Sequence, residues 1–332
     1  MLRRPTFEAF EAYLESAIDR IEGNSPNRRL IREHFALDDP SAKRGKRLRP
    51  RILLAVAETE GAEPEAAFPA AAAVEMLHNF SLVHDDIEDR DEMRHGRPTL
   101  WVRFGIPAAL NAGDAMCAAS YEALFHGWHD RASDGLAAMT ACLFRAHHHM
   151  CQGQSYDIGF ESATEVSFGE YVTMIEGKTA ALFACSCELG ALAAGTSPER
   201  AKAYARVGRA YGLAFQVRDD ILGTWGAFEQ TGKPSGADIR HRKWSFPVAW
   251  AMDGPPSADR ETVAEAYGTL AELEDAQAER VIAALERLGA QRAADEACAA
   301  YIAEAKEVAA VYDLDADGRL AAIFDATAQR TV

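Results

Sequence analysis

Two short acidic runs stand out by residue type and spacing. The first is Asp85-Asp86-Ile87-Glu88-Asp89; the second is Asp219-Asp220, which closes an apolar stretch containing Leu213, Phe215 and Val217. On a helix, Asp85 and Asp89 lie four apart and share a face, where like charges repel unless a cation sits against them. Oxygen-only donors suit Mg²⁺, which keeps some of its waters and borrows oxygens from substrate phosphates. A half-buried pair such as Asp219-Asp220 likewise needs a cation or hydrogen-bond donors. Two such ends facing one another across a cavity would hold several ions around one diphosphate. The chemistry served is the departure of a leaving group whose negative charge grows as a C–O bond breaks. A solvated acidic helix end is the plain alternative for the first run.

The chain carries a net charge of -16, which argues against generic nucleic-acid or anionic-membrane binding. One segment breaks that trend: Lys43, Arg44, Lys46, Arg47, Arg49 and Arg51 fall within nine residues. A local basic cluster in an acidic chain points either to a specific anion or to a solvated helix end. Lys46 and Arg49 are three apart, so one helix face could present both.

The elements that must position these groups read as helix after helix. Ala, Leu, Glu and Arg dominate, and strand-type alternation is scarce. The pattern predicts helices over Thr6–Ile21, from Pro50 to about Gly61, and from Pro69 to about Arg90. Further helices are expected over Pro107–His126, Leu136–Cys151, Phe168–Ala193, Pro198–Leu222 and Trp244–Met252, with a loop from Gly223 to Arg242. With 332 residues, 48% of them hydrophobic, the chain can bury a sizeable core. The expectation is one all-α domain spanning residues 1–332, with ten or more helices. Cys117, Cys142, Cys151, Cys185, Cys187 and Cys298 form no CxxC pair and read as buried free thiols of a reducing compartment. No signal peptide is evident and no stretch reads as long and apolar enough to cross a bilayer, so a soluble cytoplasmic protein is expected. His147-His148-His149 point in different directions on a helix and read as ordinary helix residues.

The motifs, taken together, resemble the trans-isoprenyl diphosphate synthases, the polyprenyl synthetase family. The resemblance runs from about Gly45 to Ala249. It rests on Gly45-Lys46-Arg47-Leu48-Arg49-Pro50, Leu77-His78-Asn79-Phe80 running into Asp85–Asp89, and Arg94-His95-Gly96-Arg97-Pro98-Thr99. Asn111-Ala112-Gly113-Asp114, Gly153-Gln154, Gly177-Lys178-Thr179, Phe215-Gln216 with Asp219-Asp220, and Gly232-Lys233-Pro234 complete it. Each motif alone is common; their order and spacing carry the likeness.

The resemblance implies an isoprenoid-synthase-type helical bundle around a central cavity, and a Mg²⁺-dependent prenyltransferase joining an allylic diphosphate to isopentenyl diphosphate. By match, Asp85 and Asp89 hold two ions with Asp86 in support, and Asp219 holds a third. Arg94, Lys178, Lys233 and Lys243 match residues that grip the allylic diphosphate. Lys46, Arg49 and His78 match those for isopentenyl diphosphate. Gln216 and Thr179 fall where polar groups sit near the reacting carbons, with helix hydrogen bonding or capping as the ordinary alternative. Ionisation, condensation and proton loss follow, in a cavity that excludes water. Phe80 lies five residues before Asp85, roughly 7–8 Å back along a helix, where an aromatic acts as a floor. With the smaller Ser81 it favours a C15 or C20 product, leaning to C20. Two departures stand out: Gly223 replaces the last Asp of the second motif, and His95 replaces the second Arg of an Arg-Arg pair, for which Arg97 or protonated His95 could substitute. Three readings stay open. The first is chain elongation, which needs both substrates. The second is a terpene cyclase or lyase, which needs no isopentenyl diphosphate. The third is a non-catalytic partner subunit. A homodimer is expected from the family.

Overall fold

The computed structural model describes residues 4–21, 25–39, 41–42, 44–128, 133–227 and 235–328. Helices dominate, as the composition requires. In chain order they are α1 (Arg4–Asp19), α2 (Pro26–His34), α3 (Leu48–Thr59), α4 (Pro64–Glu88), α5 (Leu100–Phe104), α6 (Ile106–Trp128), α7 (Ser133–Glu161), α8 (Phe168–Ile175), α9 (Ala181–Ala193) and α10 (Pro198–Trp225). They continue as α11 (Ala237–Arg240), α12 (Phe246–Asp253), α13 (Ala258–Tyr267), α14 (Asp275–Leu288), α15 (Ala290–Val311) and α16 (Arg319–Ala328). A π-helical turn, Glu176–Ala180, separates α8 from α9. The strands among the described residues are two-residue pieces, β1 (Met93–Arg94) and β2 (Arg97–Pro98), paired antiparallel.

The chain forms two compact units. The first is Met1–Arg145, Cys185–Ala205 and Asp315–Leu320; the second is Ala146–Ala184, Arg206–Leu314 and Ala321–Val332. In the first, α4 packs along α6 and α3. Phe10, Ile18, Ile52, Leu53, Leu54, Val74 and Met116 are among the side chains with essentially no exposure. Full burial of each aliphatic of this size favours folding by about 1.5–3 kcal/mol. In the second, Leu213, Val217 and Ile221 of α10 share a core with Tyr171, Ile175, Phe246, Val281 and Leu285.

Several boundaries differ from the sequence reading, each for a physical reason. Pro26 starts α2, a helix absent from the sequence reading: it is the first-turn proline behind Ser25, whose Oγ accepts the Arg28 N–H at 3.2 Å. Pro69 lies inside α4, which begins at Pro64. Its ring fits over Gly127, where a Cβ would lie 2.1 Å from Pro69 Cγ. α7 passes through Gly153 and runs on to Glu161, because that glycine is a close crossing and not a stop. α4 also passes a length-and-composition test for a membrane span, at mean hydropathy 1.2, contrary to the sequence reading. Its most apolar window is 78% buried, as a core helix requires. None of the six cysteines is in a disulfide, but Cys151 is exposed and Cys117 only partly covered.

Candidate functional site

The last turn of α4 carries the first acidic run. Asp85 and Asp89 are both partly exposed. Asp89 caps the helix, its N–H donating to the Asp85 carbonyl at 2.8 Å. Carboxylates here face the negative end of the helix dipole, and the last turn contains no basic residue. Both the dipole and the i, i+4 repulsion therefore favour a cation at this end. Asp86 turns the other way. It is 2% exposed and accepts from Arg94 Nε at 2.6 Å. Burial pushes its carboxyl up to about 6, with Arg94 pulling against that rise. What the structure gives Asp86 is thus a hold on Arg94, on β1.

The basic residues of the same unit gather nearby. Arg49 Nη1 and His78 Nε2 lie 2.9 Å apart, joining α3 to α4. Burial, then the charges of Arg49, Arg94 and Arg47, hold His78 well below the ordinary imidazole range. The ring is therefore neutral, and Arg49 donates to it. Lys46 is exposed, with its carbonyl accepting from Arg51 Nε at 3.0 Å. Arg47 has a different task. It sits in the left-handed region at φ 51, is 5% exposed, and pairs with Glu11 at 3.1 Å and Glu75 at 2.9 Å. It pins the turn that presents its neighbours.

The two residues considered as substitutes for a missing arginine fare differently. Arg97 is committed to Glu33, which also holds Arg103. His95 is near: a Cβ on Gly45 would be 3.7 Å from its Nε2. Burial, then Arg94 and Arg47, lower its pKa, so the protonated form is disfavoured.

His34 adds a titration to this region. Its Nε2 lies 3.0 Å from Asn79 Oδ1, and Asn79 donates to Glu75 Oε1 at 2.8 Å. Burial lowers the His34 pKa to about 3. An unfolded histidine protonates below about 6.5. Between about 6.5 and 3 the unfolded chain therefore binds more protons, and stability falls as pH falls through that window. His34→Gln is expected to flatten the loss of urea midpoint between about pH 7 and about pH 5. An unchanged slope would contradict the neutral ring.

Phe80 is half-buried, its ring 4.7 Å edge-on from His84. A Cβ on Gly113 of α6 would come within 2.5 Å of the His84 ring. This close α4–α6 crossing supports the surface from which Phe80 projects.

In the second unit α10 is fastened along the π-helical turn and α8 by a series of contacts. Arg209 Nε meets Glu176 Oε1 at 2.5 Å. A Cβ on Gly212 would be 2.6 Å from Ala180 Cα. Thr179 Oγ1 donates to Gln216 Oε1 at 2.6 Å. Gln216 Nε2 donates to Asp220 Oδ1 at 2.9 Å. The other Asp220 oxygen accepts from Tyr171 OH at 2.5 Å and the Phe246 N–H at 2.7 Å. These bonds fix which way the Gln216 amide points. Burial pushes the Asp220 carboxyl up to about 7, against the pull of these donors. Asp220 is thus a buried hub, whereas Asp219 beside it is partly exposed.

Lys178 Nζ pairs with Asp157 Oδ2 at 2.5 Å. Lys243 is exposed, with its N–H bonded to the Asp238 carbonyl at 2.8 Å. Lys233 lies outside the described residues. The sequence reading missed Asp157 and Tyr171. Asp157 is four residues after Gly153, on the α7 face that meets the Lys178 turn, and Tyr171 precedes Lys178 by two helical turns; that spacing is the signal that could have found them.

Among the described residues no three His, Cys, Asp or Glu side chains form a ready-made metal cage. Mg²⁺ does not need one, since it is commonly held by one or two carboxylates, waters and substrate phosphates. Partly exposed carboxylates at the negative end of a helix fit that donor set.

The polyprenyl synthetase family matches residues 35–285. The chain belongs to the polyprenyl synthetase family. It is 46% identical over 220 residues to the (2E,6E)-farnesyl diphosphate synthase of Mycobacterium tuberculosis, across 66% of this chain and 60% of that protein. The match thus spans less than two thirds of that relative's length. It is 37% identical over 288 residues to the short chain isoprenyl diphosphate synthase of Methanothermobacter thermautotrophicus, across 86% of each chain. Among solved structures, the geranylgeranyl pyrophosphate synthetase of Pyrococcus horikoshii superposes with a TM-score of 0.86 at 30% identity, covering 98% of this chain and 99% of that one. As a polyprenyl synthetase, the chain has an all-α fold.

Proposed function

We propose that this polyprenyl synthetase condenses isopentenyl diphosphate with an allylic prenyl diphosphate, releasing pyrophosphate and a short-chain product. The observation that carries the reading is the like-charged pair Asp85 and Asp89 at the C-terminal end of α4, where helix dipole and mutual repulsion both call for a cation. Mg²⁺ bound there, and by Asp219, would neutralise charge on the leaving pyrophosphate. Three ions are expected from the family. Arg94, held by Asp86, and Lys178, held by Asp157, would bind phosphate oxygens. Lys233 and Lys243 belong to the same proposed grip. Lys46 and Arg49, with neutral His78 accepting from Arg49, form the proposed isopentenyl diphosphate site. Thr179 and Gln216, oriented by Asp220 and Tyr171, would place dipoles near the reacting carbons.

The same reading takes the whole chain as one catalytic domain and places it in the cytoplasm, consistent with six cysteines in no disulfide. It also takes the protein as a homodimer. Ile106, Leu110 and Phe125 of α6 and Phe144 of α7 are exposed, and Phe144 stacks on Tyr121 at 4.5 Å. An apolar stripe of this kind suits a second copy.

The function is tested by incubating C5, C10 and C15 allylic diphosphates with isopentenyl diphosphate and Mg²⁺ and weighing the products. Elongation to C15 or C20 is expected. Cyclised or unextended hydrocarbons would contradict it. Phe80→Ala should shift the distribution by at least one C5 unit towards longer chains; an unchanged distribution would reject the floor role.

A further inference from the structure

Cys142 of α7 and Cys185 of α9 lie 43 apart in the chain, and their sulfurs touch: Cys142 Sγ donates to Cys185 Sγ at 3.6 Å. Each residue is 2% exposed, and both belong to the first compact unit. Met139, one turn before Cys142, and Leu189, one turn after Cys185, are fully buried, so the helix faces that carry the thiols are closed to solvent. Arg145 and Glu188, each three residues further on, tie the same two helices through an ion pair of 2.9 Å. The function proposed above uses neither cysteine.

Two thiols in contact across a helix pair are one oxidation away from a covalent link. A disulfide has an S–S length of about 2.05 Å, so the sulfurs have roughly 1.5 Å left to close. Cys187 is fully buried but lies two residues after Cys185, roughly 200° round the helix, and so faces elsewhere. The Cys185 sulfur, then burial, hold the Cys142 thiol well above its ordinary range. Thiolate is therefore scarce at the pair, and bulky or charged reagents are kept out.

We propose that Cys142 and Cys185 are an oxidation site that closes to a disulfide with hydrogen peroxide and staples α7 to α9. Peroxide is small and uncharged, as two buried sulfurs require. One sulfur attacks a peroxide oxygen; the O–O bond breaks, and the departing oxygen leaves as water with the thiol proton. The second sulfur attacks the sulfenic acid so formed; the S–S bond forms as the S–OH bond breaks, and a second water carries off the second proton. The two thiols are oxidised by two electrons, and the peroxide is reduced to water. In a reducing compartment such a link is transient, and small thiols reverse it by exchange. The bond closes a loop of chain that contains Asp157, Tyr171, Lys178 and Thr179. Its main effect on stability is to restrict that loop in the unfolded chain.

The test treats the folded full chain with hydrogen peroxide, alkylates the remaining thiols under denaturing conditions and maps the disulfide-linked peptides by mass. A Cys142–Cys185 link is expected as the main product, with loss of two hydrogens and full reversal by dithiothreitol. The oxidised protein should melt at least about 3 °C above the reduced one. Cys142→Ala and Cys185→Ala should each remove both the link and the shift, whereas Cys151→Ala and Cys187→Ala should keep them. Melting curves of the reduced variants check that each one folds, and the mapping on wild type needs no variant. Recovery of Cys142 and Cys185 as alkylated thiols, oxidation confined to Cys151, a dominant link to another cysteine, or a link that forms only in denaturant would overturn the inference. The proposed function stands or falls separately.

Discussion

Replacing Asp85 by alanine is expected to lower kcat/KM by about 10³-fold or more while leaving the fold intact. The magnitude follows from the metal-holding role proposed for the carboxylate. Loss of a single preorganised group facing developing charge costs about 10²–10³ in rate, and loss of a ligand also weakens binding of the ion that serves the leaving group. The stability change should have the opposite sign. Asp85 and Asp89 repel one another and face the negative end of the α4 dipole. Removing one charge should leave the metal-free melting temperature unchanged or slightly higher. The stabilisation that Mg²⁺ and pyrophosphate confer together should disappear. A variant that melts early and loses activity in proportion would instead show that Asp85 is a structural residue.

Gly153→Ala is expected to cost at least about tenfold more activity than its effect on folding accounts for. A Cβ at 153 would lie 2.0 Å from the Lys178 backbone N and 2.7 Å from its Cα. No side-chain rotation relieves a clash with backbone, so the π-helical turn must move. Overpacking of this kind costs about 1–3 kcal/mol. The turn carries Lys178 and Thr179, and a displacement of about 1 Å of positioning groups can cost about 10²-fold in rate. The check is kcat and KM for the allylic diphosphate beside a urea unfolding curve. Wild-type kinetics in a folded Gly153→Ala protein would show that the α7 crossing does not position the site.

The contrast between these two residues shows what the sequence made legible. Asp85 and Asp89 could be read because i, i+4 spacing is a local property of one helix. The same holds for Gln216 with Asp220. Lys46 and Arg49 were expected on one helix face, but α3 begins at Leu48 behind the left-handed Arg47, so Lys46 lies outside the helix. The helix expected to end at Cys151 runs on through Gly153: the reason for a glycine there is Gly177, more than twenty residues away, and no local pattern reports a crossing of two backbones. Pro69 was misread for the same reason, because its tolerance depends on Gly127. Pro26 was different: a first-turn proline after Ser25 is a local signal for a helix start. Partnerships across elements were hidden altogether. Asp86 with Arg94, Lys178 with Asp157, Tyr171 with Asp220 and Asp238 beside Gly223 join segments whose approach only the fold determines. The family motifs named most of the charged residues. The structure adds which of them are held, and by what.

The most direct measurement is pyrophosphate release in an omission series with the full chain. Release is expected when an allylic diphosphate, isopentenyl diphosphate and Mg²⁺ are all present, and is expected to fall to background when any one is left out. Sustained release from the allylic diphosphate and Mg²⁺ without isopentenyl diphosphate, or undiminished release in excess chelator, would contradict it.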